Sequence, residues 1–219
     1  MTRPALPRPA LVLVTDSARR ADGGARIDHI VREAVRGGVN IVQLREKHLP
    51  RAQLIGVGRR VREAIDSRAL FFVNGDVEAA IALGADGVHL PEDAPAILDV
   101  RVCVGARMLI SRAVHGIDAA LRAEREGADL LQLGTIFETA FKPGVQPLGI
   151  EGLRVVCAAV RLPVIAIGGI TAVNAAAVLD AGAAGVAVIG AIFDAEDPRV
   201  AAAALAASIG LRAPLAAER

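Results

Sequence analysis

The sequence is poor in aromatic residues: five of its 219 residues are Phe, and none is Trp or Tyr. Proteins that bind single-stranded nucleic acid stack the bases on aromatic rings, and this chain has almost none to offer. Its charge is also balanced, with 25 Lys and Arg against 24 Asp and Glu, so no basic field attracts a polyanion. These absences exclude a nucleic acid partner and favour a small ligand.

Cysteine is scarce as well, since the chain has Cys103 and Cys157 alone. Both fall in apolar patterns without metal-ligand spacing, so we expect two buried, small hydrophobic residues in a reducing cytoplasm. The apolar run near residue 11 is too short for a signal peptide, and no run is long enough to cross a membrane. The sequence predicts a cytoplasmic protein with no membrane partner and no metal site.

Apolar sequence, by contrast, is abundant, with 53% hydrophobic residues and a mean hydropathy of +0.46. Short β-branched runs alternate eight times with segments of helical period, which is typical of βα units around a parallel sheet. We therefore predict an α/β fold, a single (β/α)8 TIM barrel over residues 1–219, with 1–9 and 211–219 as flexible tails. An open doubly wound sheet is the alternative, and a homodimer is compatible with a barrel of this size.

The hydrophobic pattern also assigns the individual elements. The predicted strands are 11–15, 39–44, 70–73, 87–90, 102–105, 130–134, 164–167 and 186–189. The predicted helices are 27–36, 51–66, 77–83, 117–126, 150–159, 171–181 and 198–209, with a weaker helix after Pro95.

Two of these strands end in glycine, at Gly168-Gly169 and at Gly190. Ligands of α/β barrels lie at the carboxyl ends of the strands, where backbone N–H groups hold phosphate. Glycine lacks Cβ, so a ligand can approach the backbone closely. We expect a phosphorylated small molecule to bind at Gly169, Ile189 and Gly190.

Polar residues follow several of the other strands. Alternation places Gln43, Arg45 and Lys47 on one side of strand two, where they contact a ligand or form an ion network inside the barrel. Asn74 is either a ligand contact or part of an Asn-Gly turn. His89 lies within a strand, which is more typical of a core histidine than of a ligand contact.

The best candidate for acid/base catalysis is His115, which follows a strand and precedes a helix. No apolar periodicity requires a residue of its kind there, and an imidazole can both take and return a proton near neutral pH. Residues 135–149 form the longest loop and are predicted to act as a lid. Thr139 and Lys142 in this loop would close on a phosphate or carboxylate.

Four phrases are distinctive: Val42-Gln-Leu-Arg-Glu-Lys47, Ala85-Asp-Gly-Val-His-Leu90, Ala166-Ile-Gly-Gly-Ile170 and Gly185-Val-Ala-Val-Ile189. In this order they resemble the family of thiamine phosphate synthase and its sister, the TenI-type thiazole tautomerase. The resemblance extends from residue 11 to about residue 198. It implies a TIM barrel of thiamine biosynthesis that binds a thiazole phosphate.

Some positions depart from the synthase pattern. The synthase joins a pyrimidine diphosphate to the thiazole phosphate and uses Mg²⁺ on the diphosphate, but its metal-binding acid falls on Gly75 here. Its diphosphate serine falls on Ala113, and the second threonine of its Thr-x-Thr-Lys loop falls on Phe141. Its His-x-Gly-Gln-x-Asp motif is the shorter His89-Leu-Pro-Glu-Asp93.

The tautomerase is similar to this chain at those places, in Arg112-Ala-Val-His115 and in Phe137-Glu-Thr139 with Lys142. This resemblance implies that His115 moves a proton between a ring carbon and the exocyclic position of a thiazole carboxylate phosphate, with no cofactor. We therefore predict an isomerase, a thiazole tautomerase.

Two alternatives stay open. Gln43 and Lys47 match the pyrimidine and diphosphate contacts of the synthase, so a transferase that makes thiamine phosphate is one. In that case Asp76 and Asp93 would hold Mg²⁺. A non-catalytic regulatory protein is the other alternative.

Overall fold

Eight parallel strands close into a barrel in which each strand pairs with the next along the chain and the last pairs with the first. The computed structural model describes residues 3–19, 26–139 and 144–211. The architecture confirms the predicted (β/α)8 TIM barrel. The strands are β1 (Ala10–Val14), β2 (Ile41–Leu44), β3 (Leu70–Asn74), β4 (Gly87–Leu90), β5 (Leu109–Val114), β6 (Leu130–Gly134), β7 (Val164–Ile167) and β8 (Gly185–Val188).

Helices follow the strands and cover the outside of the barrel. None of those in the described ranges is both long enough and apolar enough to cross a membrane. A short 3-10 helix, Ser17–Arg19, follows β1. The α-helices are α1 (Ile27–Arg36), α2 (Arg51–Ile65), α3 (Val77–Ala82), α4 (Ile97–Val104), α5 (Ile117–Arg125), α6 (Gly149–Ala159), α7 (Ala175–Asp180), α8 (Gly190–Phe193) and α9 (Pro198–Ser208).

The predicted fifth strand, 102–105, is wrong. Its residues form the end of α4 and the turn after it, and the true strand begins at Leu109. The sequence of α4 is apolar on both faces, and Val102 stays 86% exposed. A short run without a polar face has no periodicity that separates a strand from a helix, so the β-branched residues misled the prediction.

Neither cysteine behaves as the sequence suggested. Cys103 lies exposed on α4, and Cys157 is half-buried on α6. Partial burial raises the pKa of the Cys157 thiol. The expectation of two buried cysteines is therefore wrong, because both lie on the outer layer of helices rather than in strands.

Parts of the predicted tails, residues 1–2 and 212–219, lie outside the described residues. The start of the described chain contacts the barrel, since Leu6 packs against the apolar cluster inside it. Asn40, just before β2, donates from Nδ2 to the carbonyl oxygen of Pro9 at 3.0 Å and accepts the N–H of Leu11 at 2.8 Å. These bonds connect the segment before β1 to its neighbouring strand.

Alternation along the strands separates two hydrophobic layers. The outward side chains pack against the helices in one continuous core. The inward side chains form a smaller cluster that fills the barrel toward the amino ends of the strands. Its members include Val12, Ile41, Phe72, Leu109, Leu130, Ile165 and Ala187.

Several inward positions nearer the carboxyl ends, on β2 to β6, are polar. The register aligns Asn74 of β3 with His89 of β4, and His89 with Ser111 of β5. The Nδ1 atom of His89 lies 2.9 Å from the hydroxyl oxygen of Ser111. Burial, together with the positive charges of Arg45, Arg112 and Lys47, lowers the pKa of His89 from 6.5 to about 3. The barrel interior therefore contains a neutral imidazole at neutral pH.

This burial predicts a loss of stability in acid. Below about pH 6.5 the unfolded chain takes up a proton at His89, whereas the folded chain does not until about pH 3. Protonation therefore favours unfolding by about 1.4 kcal/mol for each pH unit within that window. Urea denaturation at several pH values between 7 and 4 measures this slope for the wild type and for His89→Gln, which keeps a neutral polar group. We expect a shallower slope in the variant, and equal slopes would contradict the assignment.

Candidate active site

The carboxyl ends of the strands bring several of the predicted site residues to one end of the barrel. Gln43 of β2 is buried, and its Nε2 donates to Oδ1 of Asn74 on β3 at 3.2 Å. Farther round the barrel, the register aligns Ala113 of β5 with the buried Gln132 of β6. Gln43, Asn74 and Gln132 supply neutral amides, each with hydrogen-bond donors and an acceptor. Such groups can bind the polar edge of a heterocyclic ligand.

Arg45 and Lys47 extend this surface beyond the end of β2. The Nη1 atom of Arg45 donates to Oδ2 of Asp16 at 3.3 Å, and its backbone N–H donates to the hydroxyl of Thr15 at 3.0 Å. Lys47 is exposed. The residues directly after β1 thus hold Arg45, and Asp16 is its partner in an ion pair.

Glu46 is a residue that the sequence analysis missed. Its carboxylate is fully buried, and Oε2 accepts both the backbone N–H of Ser17, at 2.8 Å, and the Ser17 hydroxyl. Its other oxygen, Oε1, has no hydrogen-bond partner among the described residues. This contact holds the segment after β1 against the end of β2. An acidic residue between two basic ones is a weak sequence signal, since such triplets are common on solvated surfaces.

Gly168 and Gly169 both have positive φ, 106° and 65°, so the backbone after β7 requires glycine. The neighbouring loop also needs them: a Cβ on Gly168 would lie 2.7 Å from Cγ2 of Thr135, and one on Gly169 would lie 2.5 Å from the carbonyl oxygen of Glu138. The glycine pair therefore lets the loop after β6 pack closely, a reason that the sequence analysis did not foresee.

Ile189 follows β8, and Gly190 is the first residue of the short helix α8. The first N–H groups of a helix have no partner within it, so this turn presents backbone donors. Arg19, from the 3-10 helix after β1, donates to Oδ2 of Asp194 at the end of α8, with an Nη2 distance of 2.6 Å. This ion pair joins the ends of β1 and β8 across the strand pair that closes the barrel.

His115 directly follows β5, and its Nδ1 is hydrogen-bonded to Oε2 of Glu92 in the loop after β4. Both side chains are partly exposed, at 47% and 36%. Glu92 was not among the predicted site residues. It approaches His115 from a different βα unit, so their spacing in the sequence gave no indication of the pair.

The two ends of the predicted lid, 135–149, are hydrogen-bonded to each other, and its first residues are also bonded to the turn after β7. Phe137 donates its N–H to the carbonyl oxygen of Gly168 at 3.0 Å, and Leu148 donates to that of Thr135 at 2.9 Å. Thr139 is half-buried. Lys142 lies outside the described residues, as does Phe141.

The carboxylates predicted for Mg²⁺ do not form a metal centre. Oδ1 of Asp76 accepts the N–H of Ala79 at 2.9 Å and caps α3, while Oδ2 accepts from Nε of Arg51 at 2.7 Å. A guanidinium thus already neutralises this carboxylate, and Gly75 has no side chain that could serve as a metal ligand. Asp93 is exposed in the loop after β4. No three His, Cys, Asp or Glu side chains of the described ranges form a group that could hold a metal. The residues present do not fit a preformed Mg²⁺ site.

Comparison with known proteins identifies relatives across most of the chain. It is 44% identical over 185 residues to the thiamine-phosphate synthase of Moorella thermoacetica, which covers 83% of this chain and 87% of that protein. It is 42% identical over 171 residues to the synthase of Pyrococcus furiosus, covering 77% and 82%. A solved thiamine phosphate pyrophosphorylase from Pyrococcus furiosus superposes with a TM-score of 0.82 at 35% identity, covering 91% and 95%.

These relatives overturn the prediction of a tautomerase. All three are named as enzymes that make thiamine phosphate, so the isomerase assignment is wrong and the stated alternative, the synthase, has the support. The prediction relied on a few positions in the segments after the strands, whereas the identity extends over more than three quarters of the chain. A family model described as thiamine monophosphate synthase (TMP-TENI) matches residues 11–192. The chain belongs to this thiamine monophosphate synthase family.

Proposed function

We propose that this protein is a thiamine phosphate synthase, a transferase that joins a pyrimidine diphosphate to a thiazole phosphate. In this reaction the bond between the pyrimidine methylene carbon and the diphosphate oxygen breaks, and the diphosphate leaves with the electron pair. A bond then forms between that carbon and the thiazole nitrogen, which becomes positively charged. The observation that carries the proposal is the sequence identity of 42–44% to proteins named as synthases, over more than three quarters of the chain.

The thiazole phosphate would bind at the ends of β7 and β8. Gly169, Ile189 and Gly190 offer backbone N–H groups there. The carboxylate of Asp194 lies beside Gly190, and Arg19 neutralises it. The ion pair between Arg19 and Asp194 holds α8 against the end of β1. The phosphate would fix the thiazole ring with its nitrogen toward the middle of the barrel mouth.

The diphosphate would bind on the opposite side, near the ends of β2 to β6. Arg45 and Lys47 supply positive charge there, and His115, Thr139 and Lys142 would complete the anion site from the neighbouring loops. Negative charge develops on the diphosphate as it leaves, so fixed cations stabilise the transition state more than the ground state. Asp16 keeps the guanidinium of Arg45 in place before the substrate arrives.

The pyrimidine would lie between these two anion sites, against Gln43 and Asn74. The hydrogen bond between their amides fixes the orientation of both groups, so each presents a defined donor or acceptor to the ring. The neutral imidazole of His89 lies beside Asn74 in the register. A carbocation-like methylene would thus meet neutral dipoles rather than a like charge.

The purified protein should form thiamine phosphate when it is given the pyrimidine diphosphate and the thiazole phosphate with Mg²⁺ in the buffer. Chromatography of the product and release of inorganic diphosphate measure the same turnover in two ways. Reactions that omit either substrate are the controls. Absence of both products would rule out the proposed function.

Lys47→Met should lower kcat/KM for the pyrimidine diphosphate by about 100-fold, because one cation of the leaving-group site is lost. The KM for the thiazole phosphate should change little, since its site lies across the barrel. Arg59→Met is the matched control: Arg59 is exposed on α2, and its loss should leave both constants within about twofold. Steady-state kinetics with each substrate varied in turn test this, and an equal effect on both substrates would count against the placement.

A further inference from the structure

We propose that Arg112 is a positioning residue that fixes the loop after β4 and thereby holds the carboxylate of Glu92 on the imidazole of His115. The proposal rests on the proposed function for its kinetic consequence, because His115 belongs there to the diphosphate side of the site. Its structural part is independent of the reaction.

Arg112 lies at an unusual place for a charge. Its strand neighbours Ile110 and Val114 belong to the apolar core between strands and helices, and alternation places Arg112 on that same side. The residue is only 5% exposed. Burial lowers the pKa of its guanidinium, while the charges of Glu126 and Glu92 raise it. A charge that is costly to bury needs hydrogen-bond partners that offset its lost hydration.

Those partners are backbone carbonyl oxygens of one short loop. Nη1 donates to Pro91 at 2.8 Å, to Ala94 at 3.2 Å and to Glu92 at 3.4 Å, and Nη2 donates to Pro95 at 2.7 Å. Within the described part of the chain, no carboxylate lies within 4.0 Å of this guanidinium. Arg112 therefore binds the backbone of the loop after β4 at several points, rather than a single acidic side chain.

The loop has few other means of keeping its shape. Pro91 and Pro95 have no N–H groups, so these positions cannot donate to a turn. Within the loop, the N–H of Ala94 donates to the carbonyl oxygen of Pro91 at 3.1 Å. The forked guanidinium supplies donors at both ends of the loop at once, a geometry that a lysine ammonium cannot reproduce.

Glu92 is the member of this loop that reaches the site. Its Oε2 binds Nδ1 of His115, and its Oε1 lies 4.0 Å from Nη2 of Arg122. An ion pair between partly exposed side chains is weak by itself, because two flexible side chains must be held in one geometry. Fixing the backbone of Glu92 removes part of that entropic cost. Arg112 thus determines how well the imidazole is oriented, without touching it.

A double-mutant cycle tests this chain of contacts. Arg112→Lys keeps the charge and removes the fork, and Glu92→Gln removes the carboxylate while the loop remains. We expect each variant to lower kcat/KM for the pyrimidine diphosphate by about tenfold and to leave the KM for the thiazole phosphate unchanged. Since both act through the same contact, the double variant should be no slower than the slower single variant. Arg125→Lys, an exposed arginine on α5, is the matched control.

Two measurements without turnover separate this proposal from the proposed function. In Arg112→Lys, amide hydrogen exchange of the 92–96 segment should accelerate at least tenfold, while exchange in β4 stays unchanged. The ¹⁵N chemical shift of Nδ1 in His115 should change in the same direction in Arg112→Lys and in Glu92→Gln. Multiplicative losses in the double variant, or an unchanged exchange rate and shift in Arg112→Lys, would overturn the proposal. A wild type without synthase activity would overturn the function alone.

Discussion

The closure of the barrel is the constraint on which the rest of this structure depends. Once β8 pairs with β1, every strand has one side facing a narrow interior and one facing the helices, and all carboxyl ends meet at one end. The interior is filled by apolar side chains toward the amino ends, and several amides and one imidazole lie above them. The site is therefore a consequence of register: Asn74, His89 and Ser111 are neighbours because their strands are aligned, although the first and the last lie 37 positions apart in the sequence.

The barrel mouth is electrostatically divided. The ends of β7 and β8 offer backbone donors at Gly169 and Gly190, and the nearby Arg19 is paired with Asp194. The side that includes β2 has Arg45 and Lys47. A diphosphate carries more charge than a single phosphate ester, and its charge grows as it leaves, so the cationic side suits it better. This division is the physical reason for assigning the two substrates to opposite sides in the proposed reaction.

Much of the fold could be predicted from the sequence, because eight repeats of the same pattern reinforce one another and strands such as β4 and β7 have clear turn residues on both sides. The wrong strand at 102–105 arose where the pattern was weak. Helix α4 has no polar face, so its sequence does not show a helical period. The predicted loops contained many of the polar residues that reach the barrel mouth. The roles of Glu46 and Arg112 were missed, because their partners, Ser17 and residues 91–95, come from other βα units. A contact made by folding leaves no local pattern in the sequence.

The error in the predicted reaction has a related physical origin. Gly75 and the residue after it looked like a lost metal site when each position was compared singly. In the folded chain the carboxylate of Asp76 caps helix α3 and pairs with the guanidinium of Arg51, so its charge is already neutralised. Likewise, the shortened loop after β4 comes together with Arg112, whose guanidinium binds that loop at both ends. The folded structure thus gives the carboxylate of Asp76 and the loop after β4 their own partners, and departures compared position by position do not register such contacts. For that reason they are weak arguments that the reaction itself has changed.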